Sequence, residues 1–143
     1  MTIIVDLKKI NKNFNVKPKQ LEAISNVVNG FDTLAILPTS FGKSLIYQLL
    51  PAVASKLNIC PSPVVVVISP LVSLIKDQII SCNNMVGLGI KAVEVSKSVS
   101  LNDFNIIFAT PETWLNNKSI LSTRHMLANL ICIVVDEVHK VTW

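Results

Sequence analysis

Leu37-Pro38-Thr39-Ser40-Phe41-Gly42-Lys43-Ser44 is the stretch that decides the fold, because it joins an apolar strand-like run, Thr33 to Leu37, to a helix-like run, Ile46 to Ala54. Gly-Lys-Ser at a strand-to-helix turn suits phosphate binding, since the N–H groups that open a helix point at the anion and the helix dipole favours negative charge. Lys43 adds a full positive charge, and the Ser44 hydroxyl is placed to ligate magnesium. The stretch therefore predicts a nucleoside-triphosphate site.

The strict phosphate-loop pattern has a glycine where Leu37 stands, so the tripeptide alone is also compatible with an ordinary strand-turn-helix junction. A second feature favours the phosphate site. Leu130 to Val135 is a continuous apolar run, typical of a strand buried on both faces, and it ends in Asp136-Glu137. Ligands bind at the carboxyl edge of an open α/β sheet, where two adjacent carboxylates suit a metal ion and an attacking water.

The composition indicates one domain or a piece of one. The chain has 143 residues, of which 50% are hydrophobic and 15% are charged, and this balance excludes a disordered chain and is typical of central parallel strands. The apolar runs Val64 to Ile68 and Leu130 to Val135 are far shorter than the roughly 20 residues that a membrane span needs. We therefore expect no association with a membrane.

The cysteines and the first residues predict an intracellular protein. Cys60, Cys82 and Cys132 are odd in number, far apart and without a CxxC pair, which fits reduced thiols better than disulfides or a zinc site. Met1 to Asp6 lacks the basic flank and long apolar region of a secretory signal. We expect a nuclear protein if the source is eukaryotic and a cytoplasmic one otherwise.

The net charge of +4 is compatible with a nucleic-acid partner but does not require one. On charge alone, a solvated basic face is the preferred explanation. The positive charge is concentrated early, at Lys8, Lys9, Lys12, Lys17 and Lys19.

Strand-like and helix-like runs alternate along the chain, which indicates a parallel, doubly wound α/β sheet. The helix after the phosphate loop should run from Lys43 to about Ser55, with a kink or early stop near Leu49 because Pro51 lies inside it. The remaining predicted elements are a first core strand at Thr33 to Leu37, strands at Val64 to Ile68, Ile90 to Val95, Asn105 to Ala109 and Leu130 to Val135, a helix at Leu71 to Ile80, a helix start at Thr110-Pro111-Glu112, and one or two short helices within Trp114 to Asn129.

Pro18 is well suited to open a helix that ends at Asn29-Gly30. Gln20 would face out from its first turn, where the side-chain amide could donate to and accept from a purine edge. The alternative is a surface glutamine with no ligand.

The motifs in their order resemble the first motor domain of superfamily-two helicases, and specifically the RecQ-like DNA helicases. The resemblance covers residues 14–143, after a lead-in at residues 1–13, and implies a RecA-like P-loop NTPase fold with a mostly parallel sheet and helices on both faces. The matching stretches are Lys17 to Gln20, which resembles the adenine-recognition motif, Leu37 to Pro51 (motif I), Val67 to Gln78 (motif Ia), Ala109 to Glu112 (a strand-contacting motif) and Asp136 to His139, a variant of the DEAH box.

The resemblance implies ATP and Mg²⁺ as cofactors, with Lys43, Asp136 and Ser44 at the phosphates and the metal. Glu137 would orient or deprotonate the attacking water. His139 would link the nucleotide state to DNA engagement. The implied nucleotide-binding residues are Lys17, Gln20, Thr39, Ser40, Phe41, Gly42, Lys43 and Ser44.

The resemblance also implies DNA as the partner, as a single strand or a single-strand/duplex junction. A translocating motor grips the sugar-phosphate backbone without reading sequence. The implied activity is ATP-dependent 3′ to 5′ DNA unwinding, completed by a second RecA-like domain in cis. The implied DNA-contacting residues are Ser69, Leu71, Ser73 and Thr110.

Two departures keep a second hypothesis open. Ser40 and Phe41 stand where the family commonly has glycine, so the loop amides have less freedom to wrap a phosphate. A further strand, expected between the phosphate-loop strand and the Asp136 strand, and the second motor domain are both missing from the sequence. We therefore expect a sheet that is incomplete at its C-terminus and a fragment that is inactive alone. A degenerate nucleotide- or nucleic-acid-binding module is the alternative; another P-loop enzyme, such as a small-molecule kinase, is disfavoured by Asp-Glu-x-His.

Overall fold

The computed structural model describes residues 16–35, 42–85, 87–95 and 100–136. The helices are α1 (Pro18–Val28), α2 (Lys43–Lys56), α3 (Val72–Asn83), α4 (Pro111–Asn116) and α5 (Arg124–Asn129), and 3₁₀ turns lie at Leu101–Asp103 and Lys118–Ser122. The strands are β1 (Val64–Ile68), β2 (Ala92–Glu94), β3 (Ile106–Ala109) and β4 (Leu130–Val135).

The four strands form a parallel sheet in the order β2-β3-β1-β4. The chain enters at β1, crosses to β2 at one edge, returns through β3, and then passes β1 to reach β4. The sheet therefore grows in both directions from β1, as the sequence predicts for a doubly wound α/β fold.

Alternate side chains of β1 face two different apolar layers, because successive residues of a strand point to opposite faces. Val65 and Val67 pack with residues of α1, α2 and α3. Val64 and Val66 pack with residues of α4 and α5. Helices on both faces of the sheet are thus confirmed.

The predicted first strand, Thr33 to Leu37, is wrong where the structure describes it. Residues 33–35 have no strand conformation, the Leu34 side chain is 75% exposed, and the Thr33 hydroxyl donates to the Phe31 carbonyl at 3.1 Å. A strand needs a hydrogen-bonding neighbour. Residues 33–35 pair with none of the four described strands.

The expected burial of Leu130 to Val135 on both faces is also wrong. The bounds of β4 agree with the sequence, but none of its residues is fully buried, and Ile133 is 47% exposed. The reason is that β4 is an edge of the described sheet, with only β1 beside it. A neighbour on one side covers less of a strand than two neighbours do.

The helix α2 continues to Lys56, close to the predicted end at about Ser55, so the alternative of an early stop near Leu49 is wrong. A proline inside a helix costs about 3 kcal/mol. Leu49, Leu50 and Val53 are at most 2% exposed, and each fully buried side chain of this size contributes roughly 1.5–3 kcal/mol. Burial on both sides of Pro51 therefore outweighs the lost backbone hydrogen bond.

The other boundaries differ by a few residues. The helix α3 begins at Val72 and continues to Asn83, beyond the predicted end at Ile80. The strand β2 is shorter than the predicted run from Ile90 to Val95. No helix within the described ranges is both long and apolar enough to cross a bilayer.

Candidate functional site

Three adjacent strands end in one row at the carboxyl edge of the sheet. Ile68 of β1 is in register with Ala109 of β3 and with Val135 of β4. The alignment continues one residue further, since the Ser69 N–H donates to the Ala109 carbonyl at 3.1 Å and the Asp136 N–H donates to the Ile68 carbonyl at 2.9 Å. Ser69, Asp136 and the residue after Ala109 therefore lie side by side at this edge.

The helix α2 starts at the same edge. Tyr47 lies one turn after Lys43, and its ring meets the ring of Phe108, the penultimate residue of β3, edge-on with centroids 5.9 Å apart. The other end of α2 leads through a short loop to Val64, the first residue of β1. The positive end of the helix dipole is thus directed toward the edge that carries Asp136.

Gly42 precedes α2 in the left-handed conformation, with φ 66° and ψ 55°. A side chain is disfavoured there by the backbone alone. A Cβ at this position would also lie 3.1 Å from Gln20 Nε2. Because Gly42 has no side chain, it can adopt the turn that leads into α2 and can lie close to Gln20 of α1.

Gln20 is not the surface residue that its place in the first turn suggested. Its side chain is 2% exposed, its Oε1 accepts from the Lys17 N–H at 2.9 Å, and its Nε2 donates to the Gly42 carbonyl at 3.1 Å. The first bond closes the start of α1, where N–H groups lack helical partners. The second joins α1 to the turn before Lys43, so the adenine-motif and phosphate-loop residues are in contact.

Tyr47 and Gln78 form a contact that the sequence did not reveal. The Tyr47 hydroxyl, in a side chain 3% exposed, donates to Gln78 Oε1 at 3.0 Å. Burial raises the pKa of Tyr47, and the negative charge of Asp136 raises it further. The sequence indicated only a helix surface at Gln78. The available signal was the Tyr47 hydroxyl within the mostly apolar run from Leu45 to Leu50.

The four predicted DNA-contacting residues lie at or just beyond the ends of β1 and β3, but their exposure differs. Ser73 is exposed, Leu71 is half-buried, and the half-buried Thr110 uses its hydroxyl to accept from the Thr113 N–H at 3.3 Å, which caps α4. Ser69 is 3% exposed, and its Oγ is a buried atom with no hydrogen-bond partner among the described residues. Ser73 is therefore the most accessible of the four to a large ligand.

All three cysteines are free thiols, of which Cys82 is buried and Cys60 and Cys132 are partly buried. Burial raises the pKa of Cys132 to about 11 and also raises the pKa of Cys82. Both thiols are therefore protonated near neutral pH, which disfavours nucleophilic or metal-binding roles.

Several predicted site residues lie outside the described residues. These are Thr39, Ser40, Phe41, Glu137 and His139.

The described part of the edge fits a nucleoside triphosphate with a divalent cation. Gly42 gives the tight turn, and Lys43 and Ser44 open a helix whose first N–H groups have no helical partner. Asp136 supplies a carboxylate oxygen, a ligand that Mg²⁺ prefers. Such a ligand requires a hydroxyl, an ammonium group and a carboxylate. Among the described residues, Ser44, Lys43 and Asp136 provide these groups at one edge of the sheet.

A cavity of about 660 Å³ opens at the opposite, amino-terminal edge. It is lined by residues that precede strands, including Pro63, Lys91 and Asn105, and by Lys56 at the far end of α2. Its size is suited to a small ligand. The cavity nevertheless lies away from Lys43 and Asp136. Its residues can therefore serve as a control when ligand binding at the carboxyl edge is measured.

Comparison with known proteins gives consistent family matches. The model of DEAD/DEAH box helicases matches residues 17–142. ATP-dependent DNA helicase Q-like 4B of Arabidopsis thaliana is 33% identical over 94% of this chain and 12% of its own, and ATP-dependent helicase SGS1 of Saccharomyces cerevisiae is 31% identical over 98% and 10%. A protein of Acanthamoeba polyphaga mimivirus, R290, named as an ATP-dependent RNA helicase, is 31% identical over 95% and 25%.

The fold also matches a solved helicase structure. UvsW of bacteriophage T4 aligns with a TM-score of 0.60 over 91% of this chain and 55% of its own, at 16% identity. At this identity the likeness concerns the fold alone, and it agrees with the predicted RecA-like architecture. The chain spans about a tenth to a quarter of the length of the curated relatives named above.

Proposed function

Because the chain belongs to the DEAD/DEAH box helicase family and has RecQ-like homologues at about 30% identity over most of its length, we propose that it forms part of the ATP-binding motor of an ATP-dependent DNA helicase. In this proposal ATP hydrolysis drives 3′ to 5′ translocation and strand separation. The observation that carries it is the common edge shared by the start of α2 and Asp136.

The phosphates would bind at the start of α2. Lys43 would neutralise their terminal charge, and the backbone N–H groups of Thr39 to Ser44 would donate to their oxygens. Gln20 and Lys17 would bind the adenine. The position of α1 against the turn before Lys43 supports this assignment. To reach the base, Gln20 would exchange its present bonds to the Lys17 N–H and the Gly42 carbonyl for bonds to adenine.

The metal and the attacking water would lie between α2 and β4. Ser44 and Asp136 would hold Mg²⁺, which supplies charge neutralisation for the transferred phosphoryl group. Glu137 would orient or deprotonate the water. His139 would transmit the nucleotide state to the nucleic-acid side.

The nucleic acid would contact the residues that follow β1 and β3. Ser73 and Thr110 would offer hydroxyls to phosphate oxygens, and Ser69 and Leu71 would lie near the same sugar-phosphate backbone. The relatives include proteins named for DNA and for RNA, and we favour DNA because the ordered motifs resemble RecQ-like enzymes. A second RecA-like domain in cis would complete the ATP site, so we propose that these 143 residues alone turn over little ATP.

The direct test is ATP turnover and strand separation by the full-length protein. We expect hydrolysis stimulated by single-stranded DNA more than by RNA, unwinding of duplexes with a 3′ tail, and loss of both activities in Lys43→Ala. Nucleotide binding without turnover, in a protein that contains both motor domains, would favour the degenerate binding module instead. Turnover that is insensitive to Lys43→Ala would exclude the proposed site.

A further inference from the structure

Side chains at two successive positions of α2, Tyr47 and Gln48, make polar contacts with α3. The Tyr47 hydroxyl donates to Gln78 Oε1 at 3.0 Å, and Gln48 Nε2 donates to Cys82 Sγ at 3.4 Å. Tyr47 and Gln48 are 3% and 4% exposed. A buried hydroxyl loses its hydration and is costly when unpaired, so the bond to Gln78 fixes the position of α3 relative to α2.

The two helices begin at different parts of the proposed site. Tyr47 lies one helical turn after Lys43, at the end of α2 that faces Asp136. Gln78 belongs to α3, which directly follows the segment of residues 69–71 at the end of β1. One hydrogen bond therefore spans from the phosphate-side helix to the helix that carries the segment proposed to contact nucleic acid.

Rigid packing surrounds this bond on the sheet side. The Tyr47 ring meets Phe108 edge-on at 5.9 Å, and Phe108 is 1% exposed. The ring is thus held against β3, while the hydroxyl reaches α3. A shift of α2 along the sheet must either break the hydrogen bond or move α3 with it, since packed cores transmit displacements.

We propose that Tyr47 is a positioning residue that couples the nucleotide-binding start of α2 to residues 69–73 through its hydrogen bond to Gln78. The inference rests on the proposed function, because it links the binding of the nucleotide to the binding of the nucleic acid in that function. Coupling of this kind is reciprocal: nucleotide changes the affinity for the nucleic acid, and the nucleic acid changes the affinity for nucleotide by the same factor.

Four substitutions in the full-length protein isolate the bond. Tyr47→Phe removes the hydroxyl and keeps the ring on Phe108. Gln78→Met removes the acceptor, whereas Gln78→Glu retains one. Gln48→Met is the matched control, because it removes the neighbouring polar contact of the same two helices and leaves Tyr47 and Gln78 in place.

The measurement is the affinity for a single-stranded oligodeoxynucleotide with and without a non-hydrolysable ATP analogue and Mg²⁺. We expect the ratio of the two affinities to be about 5-fold or more in the unaltered protein. This ratio should approach 1 in Tyr47→Phe and in Gln78→Met, and it should be the same in the variant that combines the two substitutions. The ratio should be retained in Gln78→Glu and in Gln48→Met. Each single variant should still bind the analogue.

Two results with the variants, and one with the unaltered protein, would overturn the inference while leaving the proposed function intact. One is an unchanged ratio in Tyr47→Phe, and the other is an equal loss in Gln48→Met, which would mean that general packing of α2 on α3 carries the coupling. ATP hydrolysis without any nucleotide-dependent change in the affinity of the unaltered protein would also overturn it. Failure of the unaltered protein to bind ATP would remove both proposals.

Discussion

The backbone N–H of Asp136 donates to the carbonyl of Ile68 at 2.9 Å, one residue beyond the last paired residues of β1 and β4. This bond holds the first acidic residue after β4 beside the end of the central strand. Because β1 also leads into residues 69–73, the carboxylate assigned to the metal and the segment assigned to nucleic acid begin from adjacent backbone positions.

Replacing Lys43 by alanine should lower ATP turnover of the full-length protein by at least about 100-fold, the scale seen when one transition-state electrostatic contact is removed. Lys56→Ala is the matched control, since Lys56 is the last residue of the same helix, is exposed, and lies at the opposite edge of the sheet. Steady-state kinetics of the two variants make the comparison. Equal effects of both substitutions would contradict the assignment of Lys43.

Replacing Gly42 by alanine should affect both stability and nucleotide binding. The left-handed backbone costs an alanine roughly 1–2 kcal/mol, and the new Cβ would press on Gln20 Nε2. Gly30→Ala is the control, because Gly30 also has a positive φ, 86°, and a Cβ there meets nothing within 4 Å. Denaturant unfolding should show a loss in both variants, the larger one in Gly42→Ala, and only Gly42→Ala should also weaken ATP binding. Normal ATP affinity in Gly42→Ala would contradict the role of the Gln20 contact.

Asn129 should be important for stability, although it has no part in the proposed chemistry. Its buried side chain accepts from the Ser62 N–H at 2.9 Å and donates to the His125 carbonyl at 2.9 Å, which joins the loop before β1 to the helix before β4. Asn129→Ala leaves the Ser62 N–H unpaired and should cost about 1–3 kcal/mol of unfolding free energy.

The control for Asn129 is Asn29→Ala, because Asn29 is exposed and makes a 3.5 Å side-chain contact with Ser25. Its change should stay within about 0.5 kcal/mol. A loss in Asn129→Ala no larger than this would show that the two hydrogen bonds do not hold the strand ends together.

Alkaline titration should report the environment of Tyr47, the single tyrosine of this sequence. Because its pKa is raised above the ordinary 10.0, the folded chain should show no tyrosinate absorbance as pH passes that value. An unfolded chain loses this proton more readily, so stability should fall as pH rises through 10.0. Asp136→Asn should lower the Tyr47 pKa, since the Asp136 charge contributes to the shift. Tyrosinate formation near pH 10.0 in an intact fold would contradict the buried contact.

The parts of the fold that sequence predicted well are those with a strong local cause. The β-branched run of β1 agrees residue for residue, and Thr110 with Pro111 correctly marked the start of α4. Residues 33–35 failed because strand formation depends on a neighbour that the local pattern does not contain. The early stop considered at Pro51 does not occur, because tertiary burial outweighs a local preference.

The candidate site also contains residues whose placement follows from the local sequence and residues whose contacts depend on the fold. The placement of Lys43 at the start of α2 and of Asp136 after β4 was predictable, because turn and strand-end patterns are local, and both elements meet one edge of the sheet. Gln20 and Gln78 were both read as surface residues, because hydrogen bonds between distant segments leave no periodic signal in the sequence. Such polar contacts between helices become visible only when the fold brings the helices together.

Metal-directed cleavage tests the central claim most directly. Fe²⁺ replaces Mg²⁺ in the full-length protein with bound ATP, and ascorbate with peroxide generates radicals that cut the backbone near the ion. The account predicts ATP-dependent cuts beside Ser44 and Asp136, with none near Lys91 and Asn105 at the opposite cavity. Cuts at Lys91 or Asn105, or a pattern that does not depend on ATP, would contradict it.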